Sequence, residues 1–203
     1  YDDVQKGLED VDLVIHTAII QIPLINEAKR LGYEVNILGT QNICEAIEQG
    51  ATVKGMILAG SWHVVGEREL KGVIDEEFGF RPDKVEDRAR LYALCKIGQE
   101  MSVRVFDEIS KKIYGIIRMG TVLGEGMPRE TAAAKFLVNG LAGKPLTPYK
   151  HSMHRPMLYV DVSDICEAFE AYAKRILGGK ITKRVGKLSP TVNVYWPVPI
   201  TVI

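Results

Sequence analysis

Short apolar runs alternate with longer amphipathic segments along almost the whole chain, and this alternation limits the folds open to it. Residues 11–20 (VDLVIHTAII) are dense in β-branched residues, as a strand buried on both faces should be. Residues 33–49 carry apolar positions at helical spacing, with Ile37, Leu38, Ile43, Cys44 and Ile47 on one side and Gly50 just past the end. A second strand is expected over 55–59, running into a loop at Gly60 and Ser61, and a charged loop over 67–87. A long helix follows over about 87–112, then a strand over 115–119 and a helix over 130–142. A short strand over 157–160, a helix over 162–176 and a late strand over 191–196 complete the series. Strand–helix alternation of this kind predicts an α/β fold with a mostly parallel sheet.

The long helix has an unusual apolar arc. Stepping its residues by 100° places Leu91, Leu94, Cys95, Ile97, Met101, Val105, Phe106 and Ile109 over roughly half the circumference. That exceeds what packing on one sheet face needs and points to a second partner surface.

Composition sets outer bounds. A chain of 203 residues supports one well-buried domain, or one with a small appendage. Apolar content of 46% and charged content of 26% are ordinary globular values. Net charge is zero and no basic block occurs, so the phosphate attraction that drives nucleic-acid binding is not indicated. No apolar run approaches the roughly 20 residues that cross a bilayer, so no membrane association is expected. Cys44, Cys95 and Cys166 are odd in number and widely spaced, which reads as buried thiols in a reducing cytoplasm. His151 and His154, with Asp161 further on, lack the matching second pair of a metal site and read as polar loop residues, so no metal is expected.

Within the long helix, Tyr92 and Lys96 lie four residues apart and project from one face. A cation beside a phenol favours the phenolate and makes tyrosine a usable general acid/base. The same spacing also describes an ordinary solvated helix pair. Ser61, at the end of the second strand, could hold a substrate oxygen; the trio suggests proton transfer to or from an alcohol or carbonyl.

Seven segments in order resemble the NAD-dependent epimerase/dehydratase family, the extended short-chain dehydrogenase/reductases. VDLVIHTA resembles the family's fourth strand and NILGTQNICEAI its asparagine–glycine–threonine helix. ILAGSWHVVGE resembles the strand and loop bearing the active-site Ser, and YALCK the Tyr-x-x-x-Lys motif. IIRMGTVLGEG, HRPMLYVDVSDICEAF and NVYWPVPITVI resemble the later strands and helix openings.

The resemblance implies a Rossmann-like, doubly wound, mostly parallel sheet lacking its first strands, with a partial small substrate-binding lobe. Residues 1–124 would be the later half of the NAD(P)-binding domain, and 125–203 the remaining sheet elements mixed with part of that lobe. Tyr92 would be the acid/base, Ser61 would orient the reacting oxygen, and Lys96 would bind nicotinamide ribose while lowering the tyrosine pKa. His16 and Ala18 would line the cofactor crevice, His16 serving equally well as a core residue, and Met119 and Gly120 would approach the nicotinamide. Arg155 matches a position that contacts a nucleotide phosphate or forms a salt bridge, and His63 is a substrate contact or a plain loop residue.

The glycine-rich phosphate turn of such cofactors occurs nowhere in the chain, and the residue that separates NAD from NADP is missing with it. The resemblance therefore predicts that about three strands precede this sequence and part of the lobe follows it. The chain alone would bind dinucleotide poorly, and its first strand would be an uncovered apolar edge. The implied activity is an NAD(P)-dependent epimerase, dehydratase or reductase of a nucleotide sugar, in a cytoplasmic homodimer built from helices 33–49 and 87–112. The Gly-Asp-Gly turn and Arg-Asp pair of sugar-nucleotide members are absent from YKHSMHRPM, where Pro156 replaces the Asp. This keeps open a reductase of a non-sugar hydroxyl or keto compound. A non-catalytic dinucleotide-binding scaffold is the third alternative.

Overall fold

A computed structural model describes residues 1–181 and 188–201. The further helix expected to open at the end of the sequence falls partly at residues 202 and 203, outside that range.

Four parallel strands form the main sheet in the spatial order β1 (Leu13–His16), β2 (Gly55–Ser61), β3 (Ile113–Met119) and, last, Thr191–Val194. Two short strands, β4 (Thr121–Leu123) and β5 (Tyr159–Asp161), pair in parallel beside it, so Thr191–Val194 is β6. The helices are α1 (Asp2–Gly7), α2 (Leu24–Glu27), α3 (Lys29–Tyr33), α4 (Gly39–Gln49), α5 (Arg90–Ile109), α6 (Ala132–Leu141) and α7 (Val162–Leu177).

Alternation along the central strands explains the layering. Met56, Leu58, Tyr114 and Ile116 point to one side and pack with Cys44, Ile47, Val103 and Phe106 of α4 and α5. Ile57, Ile113 and Ile117 point the other way, onto Tyr172 and Ile176 of α7. Every residue of β2 is buried, as expected of an inner parallel strand. Each fully buried Leu or Ile contributes about 1.5–3 kcal/mol, so these two layers supply much of the driving force.

Several boundaries differ from those expected. β1 is shorter than residues 11–20, and it is the uncovered apolar edge that the resemblance implied, with Ile15 exposed instead of buried on both faces as its composition suggested. The helix expected over 33–49 begins at Lys29 and widens into a π turn, Glu34–Leu38, before α4. That widening turns Asn36 fully inward, where its amide bonds both the N–H and the C=O of Ile20, at 2.6 and 3.1 Å. β4 carries no clear strand signal, being three residues after a glycine. Cys166 is exposed and only Cys44 is buried, because α7 is covered along one side alone.

The apolar arc expected on α5 is the largest departure. Lys96, Gln99, Glu100 and Asp107 are buried, whereas Leu94, Met101, Val105 and Ile109 are exposed. The inward polar groups each find a partner that hydropathy cannot foresee. Arg118 donates to both oxygens of Glu100 at 2.9–3.2 Å, and Asp107 accepts from Tyr114 N at 3.0 Å.

Among the described residues, no helix is long and apolar enough to cross a membrane. No three His, Cys, Asp or Glu side chains gather as a metal site among them. His154 is exposed, and the side chain of His151 lies outside the described residues.

Candidate active site

The carboxyl ends of the parallel strands converge on the first turns of α5. Ser61 is the last residue of β2 and stands in register with Met119 at the end of β3. β1 ends beside them at His16, paired with Leu58. Open α/β sheets bind their ligands at this end.

After Ser61 the chain makes a 3-10 turn, Trp62–Val65, for which Ser61 Oγ accepts the His63 N–H at 3.3 Å. Gly66 ends the turn with φ of 72°, and a Cβ there would lie 2.7 Å from Arg81 O. Only glycine suits that backbone, so the tight reversal and the inward aim of Glu67 depend on it.

Ser61 is buried, with its Oγ 3.2 Å from His63 Nδ1, and it sits near enough to the Tyr92 phenol to favour the phenolate. The His63 ring meets the Tyr92 ring edge-on with centroids 5.4 Å apart. Lys96, one turn along α5, is 2% exposed, donates from Nζ to Ala59 O at 2.8 Å, and lies 6.0 Å from the Tyr92 ring centroid. Ser61, His63, Tyr92 and Lys96 are thus brought together from two elements.

Electrostatics modify the expectation for Tyr92. Burial pushes its pKa up, and Ser61 opposes this without reversing it. Burial also lowers the Lys96 amine, to about 8, against the pull of Glu100.

His16 and Ala18 sit in an adjoining polar cluster. His16 is buried, its Nε2 2.8 Å from Thr40 Oγ1 and 3.4 Å from Gln99 Nε2. Burial, aided by the charge on Lys96, lowers its pKa to about 4. Gln99 also donates to Thr40 Oγ1 at 2.9 Å and to Ala18 O at 3.4 Å. Ala18 itself is exposed at the mouth of the crevice.

Met119 is half-buried at the end of β3. Gly120 is pressed under the next segment, where a Cβ would come 2.8 Å from Tyr195 Cβ and 2.9 Å from Leu158 O. Arg155 reaches Glu86 Oε2 at 2.8 Å, and Arg88 shares that oxygen at 3.0 Å. Burial pushes the Glu86 carboxyl up, but these two guanidiniums outweigh it and hold it low.

Several polar residues at this site escape sequence reading. Thr40 and Asn36 stand four apart on one face, a spacing visible in the sequence but shared by many surface pairs. Glu67, which is 1% exposed, looks like any charged loop residue until Gly66 turns it inward. A cleft of about 530 Å³ opens at the end of β6, lined by residues that include Tyr159, Asp161, Asn193, Tyr195 and Trp196; none of the four clustered residues lines it.

Lys96 is the residue of this cluster that could hold the ribose hydroxyls of a dinucleotide. An ammonium has three donors, and Lys96 uses one on Ala59 O, so two remain for ribose hydroxyls.

Comparison with known proteins bears on the fold. No curated protein sequence matches the chain. Among solved structures, MoeE5 in complex with UDP-glucose and NAD is similar, with 21% identity and a TM-score of 0.75, covering 98% of this chain and 62% of that one. The UDP-glucuronic acid 4-epimerase of Bacillus cereus, in complex with UDP-glucuronic acid and NAD, shares 22% identity with a TM-score of 0.71, over 98% of this chain and 59% of that one. The dTDP-glucose 4,6-dehydratase DesIV of Streptomyces venezuelae shares 19% identity with a TM-score of 0.76, over 98% and 56%. At such identities the likeness shows the fold, and the chain spans about three fifths of the length of these proteins. The sequence pattern of one family matches residues 1–184. The chain therefore belongs to the NAD dependent epimerase/dehydratase family.

Proposed function

We propose that the protein is an NAD(P)-dependent epimerase or dehydratase acting on a nucleotide sugar. The observation that carries this reading is the gathering of Ser61, His63 and Tyr92 at the end of β2, with Lys96 fixed one turn along α5 on Ala59 O. The family and the nucleotide sugars bound by similar structures support the substrate class.

In this reading bound nicotinamide supplies the hydride acceptor and donor. Ser61 orients the reacting oxygen, and Tyr92 accepts the proton of a sugar hydroxyl. Lys96 holds ribose hydroxyls with its two remaining N–H donors. The positive charge of the oxidised cofactor counters the burial that raises the Tyr92 pKa. His16 and Ala18 shape the crevice wall, and Met119 and Gly120 form its floor beneath the nicotinamide. Arg155 serves the nucleotide phosphate with the N–H groups that Glu86 leaves available. The protein works in the cytoplasm as a homodimer, joined through the exposed outer faces of α3–α4 and α5.

A second reading has its own support. Arg155 is already neutralised by Glu86, and Pro156 follows it, which weakens the phosphate site and favours a reductase of a non-sugar hydroxyl compound. Incubation of the intact protein with NAD or NADP and a panel of nucleotide sugars, with products followed by NMR, separates the two. A converted sugar is expected; inert sugars alongside oxidation of other alcohols would overturn the assignment.

A further inference from the structure

Glu86, just before the 3-10 turn Asp87–Ala89, meets Arg155 from the segment before β5. Arg155 donates from Nη1 to Glu86 Oε2 at 2.8 Å, and Arg88 donates from Nε to the same oxygen at 3.0 Å. Two guanidiniums thus share one carboxylate oxygen. Arg155 Nε is buried and has no hydrogen-bond partner among the described residues. A guanidinium can engage an anion through two parallel N–H bonds, yet Glu86 meets Arg155 through one and leaves the Nε–H unsatisfied.

From this geometry we infer that Glu86 is a specificity-determining residue, an internal carboxylate that holds Arg155 until a nucleotide phosphate takes its place. The inference rests on the proposed reading of Arg155 as a phosphate contact, and adds to it what a ligand must carry to engage that contact. Two phosphate oxygens can take the guanidinium through two N–H groups, Nε included, which the single bond to Glu86 does not match. Arg88 stays on Glu86 Oε2 after the exchange, so the carboxylate is not left without a cation. The Glu86 N–H keeps its bond to Glu67 Oε2 at 2.7 Å throughout, which fixes the backbone while the side-chain pair is exchanged.

The built-in competitor discriminates between classes of ligand. A neutral alcohol or free sugar offers nothing that displaces a carboxylate from a guanidinium, so Arg155 stays on Glu86 and contributes nothing to its binding. A diphosphate carries more charge than the carboxylate and meets the guanidinium in fork geometry. The Glu86–Arg155 pair therefore selects diphosphate esters over unphosphorylated compounds.

Titration calorimetry of the intact protein with UDP and with uridine tests the exchange. Glu86→Gln removes the competing charge and keeps the backbone N–H; it should bind UDP about tenfold tighter than wild type, with uridine affinity unchanged. Asp87→Asn removes the same charge from the exposed neighbouring side chain and should leave UDP affinity at the wild-type value. Arg155→Gln should weaken UDP binding about tenfold, and adding Glu86→Gln to it should restore nothing. Unchanged UDP affinity in Glu86→Gln, an equal gain in Asp87→Asn, or a gain that persists without Arg155 would each overturn the inference. So would a failure of both wild type and Glu86→Gln to bind UDP. If Glu86→Gln does not fold, arginine side-chain NMR of the wild type decides. The Nε–H resonance that Arg155→Gln removes should move when UDP is added, and an unmoved resonance would overturn the exchange. Should the affinities change as expected while no nucleotide sugar is converted, the functional reading fails and the exchange stands. Conversion of a sugar with UDP affinity unaltered in Glu86→Gln would mean the reverse.

Discussion

Lys96 Nζ donates to the carbonyl of Ala59 at 2.8 Å inside the fold, and this bond pins the start of α5 to the end of β2. The Tyr92 phenol is thereby held at the level of Ser61. Lys96→Met leaves Ala59 O without this donor, for about 1–3 kcal/mol. The lysine pKa is lowered by burial from 10.5 to about 8, so between those values the unfolded chain binds the extra proton. The Lys96 contribution should therefore rise as pH climbs from about 8 to 10.5, so in urea titrations the stability of wild type relative to Lys96→Met should increase over that range.

His16 works at the acid end. Its pKa is lowered to about 4 from 6.5, so the folded state holds it neutral where the unfolded chain protonates it. Stability present above pH 6.5 should be lost as pH falls towards 4. The loss from this group is about 3 kcal/mol, the free energy of a shift of roughly 2.5 pK units. His16→Asn should flatten that limb of the stability curve measured by urea unfolding.

Arg118 and Glu100 form a buried bidentate ion pair. Arg118→Met alone strands the carboxylate and should cost about 3–5 kcal/mol, whereas Arg118→Met with Glu100→Leu should recover most of it. A double-mutant cycle in urea gives the coupling; additive losses would contradict it.

On the outer face of α5, Leu94, Met101, Val105 and Ile109 are 44–72% exposed, and Tyr33 and Leu38 extend the apolar surface from the neighbouring helix. Light scattering of the intact protein should give a dimer, and Met101→Glu with Val105→Glu should give a monomer.

The framework of the fold was legible because inner parallel strands and covering helices each leave their own periodicity. The runs around Met56–Leu58 and Ile113–Ile117 and the helix ending at Gly50 are cases in point. The facing of α5 was not, because hydropathy assigns Lys96, Gln99 and Glu100 to solvent while their partners lie on distant segments. The Tyr92–Lys96 spacing was readable, but its electrostatics were not. Whether a lysine depresses a phenol depends on burial, and burial belongs to the folded chain. Glu67 became visible only once the positive φ at Gly66 turned the loop inward.

The central claim is that Tyr92 moves the proton. Single-turnover oxidation of a nucleotide sugar by the intact protein, comparing wild type with Tyr92→Phe, tests it most directly. The loss of one phenol oxygen should slow the step by about 10²–10⁴-fold while cofactor affinity stays unchanged. A Tyr92→Phe protein that oxidises its substrate at the wild-type rate would contradict the account.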